Sequence, residues 1–90
     1  MKFEWDPAKA AANLRKHGVS FEEAVTAFKD DLCATARDLE HSVAEHRFIT
    51  FGLSAHERLL TVSHTELGST VRIISARLMT RAERKIYEEG

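Results

Sequence analysis

The chain has one cysteine, Cys33, and one proline, Pro7, in 90 residues. A single cysteine excludes an internal disulfide and a cysteine-rich zinc site. Cys33 reads as a small apolar strand residue, because a reactive thiol needs an electropositive, exposed setting. Four glycines, none in a run, leave no loop that could cradle a phosphate. His41 and His46 stand five apart in a polar stretch without a ligand-spaced cysteine or carboxylate cluster. No metal or cofactor is therefore expected. No apolar run approaches membrane-spanning length, and the opening Lys2-Phe3-Glu4-Trp5-Asp6 is charged rather than signal-like, so the chain is expected in the cytoplasm. A net charge of −1 does not announce a nucleic-acid binder. There are no repeats, low-complexity tracts or linkers.

What remains is a single domain spanning residues 1–90, with 43% hydrophobic and 30% charged residues, ordinary for a folded protein. At this size roughly 60% of the unfolded surface is buried, enough for one modest core. The charge is uneven. Residues 1–20 carry four basic and two acidic side chains, residues 21–46 two and seven, and residues 47–90 seven and five. An acidic middle between basic ends permits a local basic surface on a nearly neutral chain, although solvated charged faces are the plainer reading of any one segment.

Phe3-Glu4-Trp5 is a short opening strand, with Trp5 an anchor of the core or sheet edge. Asp6 at the N-cap and Pro7 at the first helical position start a helix that runs to about His17. Gly18 ends it, and Arg15, Lys16 and His17 complement its dipole. Lys9, Asn13 and Lys16 or His17 share one face; the alanines pack elsewhere. Ser20 and Glu23 make a capping box for a second helix, whose core stripe is Phe21, Ala24, Val25 and Phe28. Lys29-Asp30-Asp31 closes it. A strand is expected at 32–36, an exposed loop at 37–45, and further strands at 47–53, 58–65 and 71–75. Their short connections imply antiparallel neighbours. Phe48 and Phe51, Leu59 and Leu60, and Ile73 and Ile74 break strict alternation. The second sheet face should then be partly covered, by the last helix, a partner chain, or both.

The chain is organised around residues 71–90. A β-branched run, Val71-Arg72-Ile73-Ile74-Ser75, reads as a core strand. Thr80 and Glu83 then form a third capping box, opening a basic terminal helix. Arg72, Arg77, Arg81, Arg84 and Lys85 lie within fourteen residues. Guanidinium forks on a rigid strand suit phosphate oxygens.

Phe3-Glu4-Trp5-Asp6, Lys9, Asn13, Lys16-His17-Gly18-Val19, Phe21 and Glu23-Ala24 resemble the opening signature of the BrnT toxin family. The resemblance continues through His41-Ser42, Glu45, Arg47, Gly52, Arg58-Leu59-Leu60, His64-Thr65 and Arg72-Ile73-Ile74-Ser75-Ala76-Arg77 to Thr80, Glu83-Arg84 and Tyr87. Leu78-Met79 departs from the shorter residues usual there, and His46 precedes Arg47. The resemblance implies a RelE-like α+β fold: strand, helical hairpin, mainly antiparallel sheet (β-α-α-β-β-β-β) and C-terminal helix. It further implies the toxin half of a bacterial type II toxin–antitoxin pair, an endoribonuclease that arrests growth. The implied partner is a DNA-binding, BrnA-like antitoxin that neutralises the toxin and represses the shared operon with it.

RNA can be cut without metal through its own 2′-hydroxyl if the enzyme supplies a proton acceptor, a proton donor and positive charge. The candidate catalytic residues are Arg47, Arg72 and Arg77 for charge, with His41 and Glu45 for proton transfer. Lys9, His17 and Tyr87 are candidate substrate-binding residues, Tyr87 by stacking on a base or else by covering the sheet edge. Each has a plainer alternative. Arg72 could be held in a structural ion pair with Glu45 or Glu83. His64, in a strand, reads as a hydrogen-bonded core histidine. A rival for the whole chain is a non-catalytic module that only docks a DNA-binding partner.

Overall fold

The computed structural model describes residues 1–40 and 46–89. The elements follow the expected order: β1 (Lys2–Glu4), α1 (Pro7–His17), α2 (Phe21–Ala27), β2 (Ala34–Arg37), β3 (Arg47–Leu53), β4 (Leu59–Leu67), β5 (Thr70–Leu78) and α3 (Arg81–Glu89). The strands form one sheet in the order β1-β5-β4-β3-β2. All pairs are antiparallel except β1 with β5. That exception follows from the connection: the helical hairpin carries the chain away from β1, so the last strand returns alongside it.

Local chemistry sets the helix ends. The Asp6 carboxylate accepts the Ala8 N–H at 2.8 Å, and Gly18 closes α1 in the left-handed region at φ 69°, where a side chain would be strained. The Ser20 hydroxyl accepts the Glu23 N–H at 3.0 Å and starts α2. This box is only half made, because the Glu23 carboxylate turns to Ser54 and Arg58 instead. The helix stops at Ala27, earlier than the sequence suggests, because Asp30 folds the chain: its carboxylate accepts the Leu32 N–H at 3.0 Å and its carbonyl the Cys33 N–H. Cys33 therefore sits in this turn, not in a strand, and β2 begins at Ala34.

The core lies between the helical hairpin and one sheet face. Val19, Phe21, Ala24 and Ala27 pack against Leu60, Val62, Val71, Ile73 and Ala76, with Phe3, Trp5 and Phe28 at its margin. Trp5 meets Phe21 edge-on at 6.0 Å, so it is the anchor expected of it. Gly52 allows α2 to lie directly on β3; a Cβ there would stand 2.5 Å from the Ala27 carbonyl oxygen. Asn13 ties α1 to the sheet. Buried to 7% exposure, its amide donates to the carbonyls of Val19 and Ala76 at 2.9 and 2.8 Å and accepts the Ala76 N–H at 3.1 Å.

The broken alternation in β5 has a local cause. Ser63 pairs with Ser75 and His64 with Ile73, so Ile74 is an extra residue in β5, a β-bulge. The bulge shifts the face pattern by one residue, which lets Val71, Ile73 and Ala76 all reach the hairpin core. It also lets the strand continue to Leu78, beyond the end at Ser75 that period-two reading gives. The opposite face is partly covered by α3, as expected, and α3 has no buried residue of its own.

Candidate active site

Register decides which side chains share the sheet face away from the hairpin. Directly opposed residues on neighbouring strands point the same way. Leu60, Val62 and His64 of β4 face the hairpin, so Thr61, Ser63 and Thr65 face the other side. Thr65 is flanked by Arg47 on β3 and Arg72 on β5. Ser63 is flanked by Ile49 and Ser75, and Thr61 by Phe51 and Arg77. Three expected arginines, distant in sequence, thus stand on one face among a column of hydroxyls. Arg47 and Arg72 are two strand spacings apart, about 10 Å, and Arg77 lies about 13 Å along the strands.

The arginines differ in their partners. Arg72 Nη1 donates to Glu4 Oε2 at 2.8 Å, with both side chains about half exposed. This ion pair joins β1 to β5; Glu4, which stands directly opposite in the parallel register, takes the place of the Glu83 partner expected for Arg72, and the other expected partner, Glu45, lies outside the described residues. Glu83 belongs to Arg77 instead. The Arg77 guanidinium donates to both Glu83 oxygens, at 2.7 and 2.9 Å. The Thr61 hydroxyl and the Thr80 N–H donate to the same carboxylate, at 3.0 and 2.9 Å, and the Glu83 N–H returns to the Thr80 hydroxyl. The Thr80–Glu83 capping box is therefore complete. The Arg77 hydrogen bond, assisted by those from Thr80 and Thr61, holds the Glu83 carboxyl down to about 2 against the cost of burial, and the same pairing raises Arg77. Glu83 remains an anion and is no proton donor near neutrality.

Lys9 and His17 reach this face from its edge. With Lys16, Ile74 and Ser75 they line a shallow cavity of about 220 Å³ where α1 meets β5. Ser75 belongs to the arginine face and lies between Arg72 and Arg77 along β5. Lys16 and the hydroxyls of Thr61, Ser63, Thr65 and Ser75 are members of the site that the sequence reading did not select. Their signal was present: Leu60-Thr61-Val62-Ser63-His64-Thr65 alternates cleanly once Leu59 is set aside.

Tyr87 is not brought to this cluster. Its hydroxyl donates to Asp30 Oδ2 at 2.5 Å, and Asp30 also accepts the Leu53 N–H. That hydrogen bond to a carboxylate pushes the phenol up to about 12. Tyr87 pins α3 to the far end of the sheet. His41 and Glu45 lie outside the described residues. His64 is the core histidine that its strand position suggested: 1% exposed, with Nε2 2.7 Å from the Thr50 hydroxyl and burial lowering it to about 4. Arg58 forms a further ion pair that the sequence reading missed. It donates to the buried Glu23 through Nε and Nη2 and to the Gly18 carbonyl, fastening the hairpin turn to the β3–β4 connection.

A face of guanidiniums and hydroxyls, edged by lysines, is suited to a polyanion with closely spaced phosphates. Comparison with known proteins narrows the chemistry. Against solved structures, the chain is similar to the ribonuclease toxin BrnT of Brucella abortus, whose crystal structure was determined at 1.1 Å. The TM-score is 0.67 at 26% identity, covering 90% of this chain and 99% of that one. Comparison with curated protein sequences gives no significant match. The profile of the family described as "Ribonuclease toxin, BrnT, of type II toxin-antitoxin system" matches residues 5–83. The chain therefore belongs to the BrnT family of ribonuclease toxins of type II toxin–antitoxin systems.

Proposed function

We propose that this ribonuclease toxin is a metal-independent endoribonuclease that works on the sheet face carrying Arg47, Arg72 and Arg77. The observation that carries the proposal is the Arg47–Thr65–Arg72 row with Arg77 on the same face. In the reaction a base takes the proton of a ribose 2′-hydroxyl, whose oxygen attacks the adjacent phosphorus. The bond from phosphorus to the 5′-oxygen breaks, and an acid protonates the leaving oxygen. The products are a 2′,3′-cyclic phosphate and a 5′-hydroxyl. The developing charge falls on the non-bridging oxygens, where fixed guanidiniums act as a divalent ion does in other nucleases. We assign proton transfer to His41 and Glu45, in the segment leading directly to Arg47. Lys9 and His17 hold the neighbouring nucleotides. Tyr87, whose hydroxyl is held by Asp30, anchors α3 rather than a nucleotide.

The toxin acts in the cytoplasm on cellular RNA and arrests growth; no helix among the described residues is long and apolar enough to cross a membrane. Its cognate antitoxin binds DNA, neutralises the toxin and represses the operon together with it, as the type II family membership supports.

One observation favours a second reading, a docking module without catalysis: Arg72 and Arg77 already have carboxylate partners. The two readings separate on an RNA oligonucleotide carrying a single 2′-deoxy sugar at the cleaved position. The enzyme should bind it and leave it whole while cutting the all-ribose strand. Cleavage of both strands refutes 2′-hydroxyl attack, and cleavage of neither, with the antitoxin still bound tightly, supports the docking module.

A further inference from the structure

We infer that the outer surface of α3, with the groove between it and the ends of β4 and β5, is where the antitoxin docks, through an acidic amphipathic segment. The inference rests on the family reading, which supplies the partner; the location and chemistry come from the structure.

Helix α3 is held by two polar attachments, Glu83 to Arg77 and Tyr87 to Asp30. It buries no side chain, so hydrophobic packing contributes little to its position. Apolar side chains instead stand exposed around it: Ile86 at 57% and Leu78 at 51%. Leu59, Leu78 and Met79 line a cavity of about 320 Å³, with Glu57, Arg58 and Arg84 completing its wall. Arg84 also lines the adjoining cavity of about 310 Å³, with Arg81, Lys85 and a single carboxylate, Glu88. Among the described residues these three cations make no side-chain hydrogen bond or ion pair, whereas Arg58, Arg72 and Arg77 each have a carboxylate.

An apolar groove beside unpaired cations selects its occupant. RNA would match the cations and leave the leucines and Ile86 wet. A second copy in a symmetric contact would set Arg81, Arg84 and Lys85 against the same three cations, with only Glu88 to offset them. A segment with apolar anchors and acidic neighbours satisfies both halves. Docking there also fixes α3 in place and keeps Glu83 on the guanidinium fork of Arg77.

The test is calorimetric titration of the purified chain with the antitoxin encoded beside its gene. Wild type is compared with Ile86→Asp and, separately, with Arg81→Glu/Arg84→Glu, whose folding is checked by circular dichroism. Both altered surfaces are exposed, so two independent variants guard against loss of fold in either. The inference predicts antitoxin affinity weakened roughly tenfold or more in each, as for central interface residues, with RNA cleavage by the free variants retained. Unchanged affinity in both overturns it. Lost cleavage with intact antitoxin binding assigns the surface to RNA and overturns it. So does a wild-type homodimer in sedimentation that the variants dissociate while antitoxin binding survives. If the wild-type chain does not bind the antitoxin, the partner reading fails and this inference with it.

Discussion

Acidification should cost this protein stability well before its carboxylates titrate, because of His64. The side chain is 1% exposed, lies 5.0 Å from the Phe28 ring and 5.9 Å from the Phe48 ring, and bonds through Nε2 to Thr50. Nδ1 is buried with no hydrogen-bond partner among the described residues, so a proton added there enters an apolar setting. Burial lowers the imidazole from 6.5 to about 4. The folded state therefore refuses a proton that the unfolded chain accepts. The stabilising effect is complete above pH 6.5 and is lost as pH falls through about 4. The slope is about 1.4 kcal/mol per pH unit, about 3 kcal/mol over the window. That is a large part of the stability of a domain this size. The carboxylates act lower: Glu83, held down to about 2 by Arg77, loses its contribution only as pH falls from 4.5 towards 2. Urea unfolding at pH 6.5, 5.5 and 4.5 should show the midpoint falling steadily in wild type. In His64→Gln, which keeps a polar partner for Thr50 and cannot titrate, most of that fall should disappear. Equal slopes in the two proteins would refute the assignment.

Substitutions at three further positions probe the frame around the site. Asn13→Ala removes three hydrogen bonds and orphans the Ala76 N–H, and should cost about 2–4 kcal/mol in chemical denaturation; a loss below about 0.5 kcal/mol would show that Asn13 does not anchor α1. Gly52→Ala should lower the melting temperature by several degrees, because the new methyl meets the Ala27 carbonyl oxygen and α2 must shift. Tyr87→Phe keeps the ring and removes the hydroxyl that Asp30 holds, whereas Tyr87→Leu removes both: faster amide exchange in α3 with unchanged RNA affinity in both variants identifies an anchor, and RNA binding weakened in Tyr87→Leu but not in Tyr87→Phe identifies a stacker.

Much of the fold was legible because its signals are local. Asp6-Pro7, Ser20 and Thr80 each mark a helix start, and 47–53 reads as a strand with the bounds the structure gives it. The sequence could not show where β5 ends. The bulge at Ile74 is visible only against β4, and without it Ala76 and Arg77 fall outside a period-two pattern. Side-chain partners were similarly hidden. Glu23 and Glu83 carry the same capping signature, yet Glu83 completes its box while Glu23 is drawn to Arg58, thirty-five residues away. Glu4 could be recognised as the partner of Arg72 only from the parallel register of β1 with β5. The site was half legible: residue type singled out the arginines, and only the sheet order showed that Arg47, Arg72 and Arg77 share a face, that Lys9 and His17 border it, and that Tyr87 is tied elsewhere.

The central claim, that this arginine face cuts RNA without a metal, is tested most directly by incubating the purified, antitoxin-free chain with a defined RNA in EDTA, beside Arg47→Ala, Arg72→Ala and Arg77→Ala, and reading the product ends. Wild type should yield 2′,3′-cyclic phosphate ends. Each substitution should slow cleavage by roughly 10²–10³-fold, as for loss of one transition-state donor, while the variants still bind antitoxin. Full activity in all three variants, or wild-type cleavage abolished by EDTA and restored by a divalent ion, would contradict the claim.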